Sequence, residues 1–163
     1  MSEPIAWGKV SIKMAKTGVG DAMGTPLVDV GLIKDNTAHV EPQDGTTLEM
    51  YATGHELVEA QDTEGHDQVV FDVIGIDLSV IAAFFGKTIA AGVFGKTTTV
   101  ISDRYSIEIT PTVVGATGYR APKCSVSIKS GYTDAEGWLH NFTVKVLKPA
   151  AGNTMEYFDT AVA

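Results

Sequence analysis

The sequence predicts a mainly-β domain, a β-sandwich or barrel of about eight strands with one short flanking α-helix at about residues 77–86. Three observations carry that expectation. Apolar and polar residues alternate with period two in run after run from Val10 to Leu147. One segment alone, Leu78 to Phe85, spaces its apolar residues as a helix would. The 17 glycines of the 163-residue chain supply turns between the alternating runs.

The first strand is predicted over Gly8 to Met14, with Val10, Ile12 and Met14 on one face and Lys9, Ser11 and Lys13 on the other. A glycine-dense loop, Lys16 to Pro26, follows. Glycine loses the most entropy on ordering, so contacts from outside the domain are the expected source of any order there. Leu27–Ile33 and Thr37–Val40 read as short strands around the turn Lys34-Asp35-Asn36. The Gln43-Asp44-Gly45 turn leads into Thr46–Thr53, where Leu48, Met50 and Ala52 oppose Thr47, Glu49, Tyr51 and Thr53. His55–Ala60 is expected to continue the sheet, and Gln61 to Asp67 to form an exposed acidic loop.

Gln68–Ile76 is apolar on both faces except at Asp72, the mark of a central strand. Asp77 is placed to cap a helix whose stripe is Leu78, Ile81, Ala82 and Phe85, and Gly86 falls where a terminating glycine belongs. The apolar stretch Leu78–Phe94 is interrupted by Gly86-Lys87-Thr88 and Gly92 and is too short to span a bilayer. A core helix running into a buried strand is expected there. Thr97–Ile101, Tyr105–Thr110, Lys123–Ser130 and Trp138–Leu147 complete the strands, with turns at Ser102-Asp103, Gly115–Gly118 and Thr133–Gly137.

Hydrophobic residues make up 44% of the chain and charged ones 20%, a globular composition with no linker, so residues 1–163 are read as one domain. The chain is long enough to bury a core without disulfides or metals. The formal charge is −8, and the lysines are scattered with no basic cluster, which argues against binding nucleic acid or an anionic membrane. Cys124 is the single cysteine, leaving no internal disulfide or cysteine metal cluster. Met1-Ser2-Glu3-Pro4 has neither a basic nor an apolar leader segment, so no secretory signal and no membrane anchor are expected. The sequon Asn141-Phe142-Thr143 is then coincidental.

Each catalytic motif fails at a definite residue. Gly95-Lys96-Thr97 and Gly86-Lys87-Thr88 end like phosphate-binding loops, but Ala90 and Ile81 stand where the first glycine is needed. Gly18-Val19-Gly20 lacks a dinucleotide fingerprint because Met23 holds the third glycine's place. His55-Glu56 is followed by Glu59 rather than histidine, and His39, His55, His66 and His140 share no ligand spacing. The Asp62–Asp67 loop lacks the spacing of a calcium loop and reads as solvated. Cys124 shares a face with Val126 and Ile128, which suits an inert buried thiol. No catalytic residue, metal or cofactor is expected, and no enzyme.

The order of features is informative in itself. An alternating strand precedes a glycine-rich loop, and a middle segment runs Val40-Glu41-Pro42, Leu48-Glu49-Met50-Tyr51 and Val69-Val70-Phe71-Asp72-Val73. Then come the capped helix, the strand Gly137-Trp138 to Leu147-Lys148-Pro149, and the close Gly152 to Phe158. This layout resembles the tail tube (major tail) proteins of long-tailed bacteriophages. The resemblance implies a β-sandwich or barrel with one flanking helix, assembled into hexameric rings stacked as a hollow tube. DNA would pass through that tube without specific binding. It implies the virion tail as location, assembled in the host bacterial cytoplasm, with tape measure, tail terminator and baseplate or tip proteins as further partners. Six copies at −8 each would carry roughly −48, a surface that repels phosphates. Candidate lumen-facing acids are Glu41, Glu49 and Asp72. Candidate contacts between subunits are Gly18, Val19, Gly20 and Met23 in an assembly loop at 15–26, and Met155, Tyr157 and Phe158 in a C-terminal arm at 153–163. The apolar set of that arm, which includes Val162, would dock either on a neighbour or on its own sheet.

Three other readings stay open at this point. The tube protein of a contractile injection or type VI secretion system would share fold and ring. A small-ligand-binding β-barrel would have an apolar cavity lined by residues such as Phe71, Trp138 and Phe142. A hydrolase on a β-scaffold would have to draw on scattered histidines and carboxylates.

Overall fold

The structure is a computed structural model describing residues 9–161. The expected absence of a leader at residues 1–4, the predicted first strand residue Gly8, and Val162 and Ala163 of the tail lie outside the described residues. In chain order the elements are β1 (Val10–Lys16), a 3-10 turn (Val19–Asp21), β2 (Val28–Asp29), β3 (Leu32–Ile33), β4 (His39–Gln43), β5 (Thr47–Ala52) and β6 (Glu56–Asp62). They continue with β7 (His66–Gly75), α1 (Leu78–Phe84), β8 (Arg104–Pro111), β9 (Thr117–Thr133), β10 (Gly137–Val146) and β11 (Glu156–Asp159). The fold is mainly β with one short helix, as the alternation predicts.

Nine strands form one antiparallel sheet in the order β2-β1-β8-β9-β10-β7-β3, with β11 paired to β9 and β4 to β7. Its two end strands are halves of one segment, Val28–Ile33. Val28 and Asp29 pair with Met14 and Lys13 of β1, while Leu32 and Ile33 pair with Gly75 and Val73 of β7. Between them the Val30 amide donates to the Ile12 carbonyl at 3.1 Å, and Val30 itself is buried. The sheet thus curls round like a barrel and leaves few unpaired edge groups on that side. Gly31, at φ +123°, makes the bend between the two pairings.

Alternate residues of the long strands fill the interior. Val69, Phe71 and Val73 of β7 meet Phe142 and Val144 of β10, and Ile12, Ile107, Val126 and Ile128 close the core from the other strands. Phe71 and Phe142 stack at 4.9 Å, and Phe84 of α1 meets Phe142 edge-on at 5.5 Å. Asp77 caps α1 by accepting from the Ser79 amide at 3.3 Å, and Gly86 follows at φ +67°. The helix buries Ile81, Ala82 and Phe84. Leu78 is exposed and Phe85 half-buried, so the observed stripe is turned by about one residue from the predicted one. The cause is Phe84, whose ring packs on Tyr105 at 4.7 Å.

Three expectations are corrected here. No strand forms over Thr97–Ile101, and no buried strand follows the helix; residues 87–100 are almost wholly exposed, with one isolated bridge between Ala90 and Val93. Three successive threonines favour a strand, but β-propensity acts only where a partner ladder exists. The neighbouring places beside β7, β8, β9 and β10 are already occupied, so only Ile101 reaches the core. Thr46–Thr53 and His55–Ala60 do form strands, yet they do not continue the main sheet. They make a separate hairpin.

Candidate functional site

That hairpin is the feature the core does not explain. β4 and β7 pair from His39↔Val70 to Gln43↔His66, and the ladder resumes beyond the body from Thr47↔Asp62 to Ala52↔Glu56. β5 and β6 are therefore an outward continuation of the β4–β7 hairpin. The expected acidic loop at 61–67 shrinks to residues 63–65, because Gln61, Asp62, His66 and Asp67 belong to strands. Residues 44–46 and 63–65 make the break between the two ladders. Thr63 locks it: its amide and its hydroxyl both donate to the Thr46 carbonyl, at 2.8 and 2.7 Å. Gly45 passes so close to the Thr63 carbonyl oxygen that a Cβ would not fit.

Every residue of β5 and β6 is exposed. Six residues at about 3.3 Å each give an arm of about 20 Å. It carries Leu48, Met50, Tyr51, Leu57 and Val58 in the open, Met50 at 64% exposure. A two-stranded hairpin has marginal stability by itself, and nothing in the body covers the apolar side chains of this one. Residues 44–67 also hold seven carboxylates (Asp44, Glu49, Glu56, Glu59, Asp62, Glu64 and Asp67) and no lysine or arginine. Nearly all of the chain's net charge thus sits on the arm and its base.

The candidate lumen acids fall in two places. The pairings Glu41↔Gln68 and His39↔Val70 put Glu41 on the same outer sheet face as Asp72, with Glu49 further out on the arm. His39 Nε2 lies 3.0 Å from Glu41, the Tyr51 hydroxyl donates to Glu49, and Asn141 Nδ2 donates to Asp72 at 2.7 Å. Glu41 and Glu49 are exposed and Asp72 is half-buried.

The glycine-dense loop is held by its own domain, contrary to the expectation of outside contacts. Asp21 Oδ2 accepts from Lys123 Nζ at 3.1 Å and from the Ala150 amide at 2.8 Å. The Gly24 amide donates to the buried Ser106 hydroxyl at 2.8 Å, which donates to the Pro122 carbonyl at 2.7 Å. Val19 and Gly20 stay exposed, and Gly18 and Met23 are half-buried. Glycine density signalled freedom, whereas partners some hundred residues away supply the order. The Lys123 hydrogen bond, then the Ala150 amide, hold the Asp21 carboxyl below its ordinary 3.8. A depressed folded value means that the clamp acts fully above 3.8 and is lost as pH falls through the lower folded-state value. An NMR titration of Asp21 is expected to show a midpoint below 3.8, and Lys123→Met to raise it.

The tail docks on its own sheet. β11 pairs with β9 from Glu156↔Arg120 to Asp159↔Thr117, and Arg120 Nε donates to Glu156 at 2.8 Å. Met155 packs on the core. Phe158 covers Gly118 and lies beneath the Arg120 guanidinium, 5.3 Å from the ring centre. Tyr157 leans on Tyr119 but remains 68% exposed, the part of the tail still open to a neighbour.

Cys124 is fully buried, and burial pushes its thiol up to about 12. It is expected to resist a thiol reagent in the folded protein and to react only on denaturation, which a colorimetric thiol assay checks. Among the described residues no three His, Cys, Asp or Glu side chains gather as metal ligands, and no helix is long and apolar enough to cross a membrane. Phe71 and Phe142, two of the residues a ligand cavity would have used, are fully buried in the packed interior. Trp138 is 59% exposed beside a surface cleft of about 500 Å³.

No protein-family model matches the chain, and no curated protein sequence matches it. Sequence reasoning placed β5 and β6 inside the sheet and missed the arm. The available signal was the charge pattern: 24 successive positions, 44–67, carry acids without one lysine or arginine.

Proposed function

We propose that the chain is a structural subunit that assembles with its own copies into stacked rings, the hollow tail tube of a long-tailed bacteriophage. The observation that carries this reading is the arm: a hairpin exposed on all sides, rich in apolar residues, and attached to a body whose core is complete without it. In a lone chain such an element leaves its apolar side chains in water, and contact with another copy would bury them. Its concentrated negative charge fits a tube through which DNA slides without adsorbing, since carboxylates repel phosphates. The layout of strands and helix supports the choice of a tail tube among assembling proteins. In this reading the subunit performs no reaction, needs no cofactor, resides in the virion tail, and meets tape measure, terminator and tip proteins at the ends of the tube.

Light scattering over a concentration series tests the reading. The scattering mass is expected to grow well beyond one chain as the concentration rises. A chain that stays monomeric at millimolar concentration in both low and high salt overturns it.

A further inference from the structure

We infer that the cleft beside α1, at the Gly75 end of β7, is the seat for the acidic arm of a second copy of this chain. The inference rests on the assembly reading and names the partner surface for it. The cleft has a volume of about 500 Å³, and its walls include Ile74, Leu78, Phe85, Phe94 and Trp138. Three of these, Ile74, Leu78 and Trp138, are exposed large hydrophobics in the lone chain. Its one charged lining residue is Lys96, and no carboxylate lines it. Asp77, next to Leu78, caps the helix through Oδ1 and keeps an exposed carboxylate at the rim.

The two surfaces are complementary in composition. The arm offers Leu48, Met50 and Tyr51 among carboxylates and has no cation; the cleft offers apolar walls and a cation. Among the described residues Lys96 has no carboxylate partner and rests over the Phe85 ring, 4.9 Å from its centre. Burying apolar side chains would drive the contact, and the charge pair would fix its register and keep out wrong partners. A second apolar cleft, of about 480 Å³, lies on the other side of α1 between Met14, Pro26, Val80 and Tyr105. Its cation, Lys16, is already paired with Asp103 at 3.1 Å, so it offers an acidic arm less.

Position separates arm and seat within one chain. The arm leaves β7 at His66 and the cleft lies around Ile74, at the other end of the strand, about 25 Å away at about 3.3 Å per residue. Since the β5–β6 ladder extends the β4–β7 ladder outward, an arm points away from its own cleft. Two different surfaces that fit each other across copies make a head-to-tail contact, which generates rings or filaments rather than a closed pair.

Thiol cross-linking tests this. Chains carrying Met50→Cys are mixed with chains carrying Leu78→Cys, both at exposed positions, and oxidised during association; buried Cys124 takes no part. A linked pair is expected as the major product of the mixture and not of either variant alone. Its yield should fall at least tenfold with Lys96→Glu in the cleft partner, and return when the arm partner also carries Glu59→Lys. Association seen by light scattering without the link, or a link indifferent to both charge changes, overturns the docking site while the assembly reading stands. Absence of both link and association overturns the two together.

Discussion

Excising residues 47–62 and joining Thr46 to Thr63 through an Asn-Gly turn is expected to leave a folded monomer that no longer assembles. The arm contributes no residue to the core, and none of its strands pairs with the main sheet. Its removal therefore takes away no buried area from the body, and the Thr46–Thr63 bonds that tie off the base remain. Thermal unfolding should stay within a few degrees of the full chain, whereas assembly by light scattering should be lost altogether. Loss of fold would show that the arm belongs to the core; retention of assembly would show that the contacts lie elsewhere. Excising the tail from Asn153 is the instructive contrast. β11 is hydrogen-bonded into the sheet and Met155 and Phe158 pack on the body, so that truncation should lower stability first.

Gly31→Ala is expected to cost about 3 kcal/mol of folding stability, the range for a strained backbone combined with a buried clash. Two effects act together. An added Cβ would run into the Gly75 carbonyl oxygen and crowd Val73, and φ at +123° is a conformation that alanine adopts at a penalty. Relief would require Val28–Ile33 to let go of β1 or β7, which would open the curled sheet along its closing seam. With a urea dependence of about 2 kcal/mol per molar, the midpoint should drop by about 1.5 M. Gly131→Ala, where a Cβ meets nothing within 4 Å, should leave it nearly unchanged. Equal behaviour of the two variants would mean that the segment does not close the sheet.

The core strands were legible because burial itself writes the period-two pattern. On β9, Cys124, Val126 and Ile128 are buried and their neighbours are not, and on β10 Phe142, Val144 and Val146 behave likewise. The helix was legible from Asp77, Gly86 and its apolar spacing, though a seven-residue helix leaves its facing uncertain by a residue, hence Phe84 in place of Phe85. The arm was misread because Leu48, Met50 and Ala52 alternate just as a core strand does. Alternation reports that one face differs from the other, and it cannot tell a face turned to this core from one turned to another molecule. Thr97–Ile101 was misread from propensity alone, since strand formation needs a vacant neighbour that only the fold reveals. The clamp on Asp21 was invisible because its partners, Lys123 and Ala150, lie more than a hundred residues away.

Electron microscopy of the concentrated protein shows whether its copies stack. Stacked rings or tubes with an axial hole, each ring bridged to the next subunit by its arm, are the predicted result. A uniform population of single domains with arms free in solvent, at millimolar concentration, would contradict it.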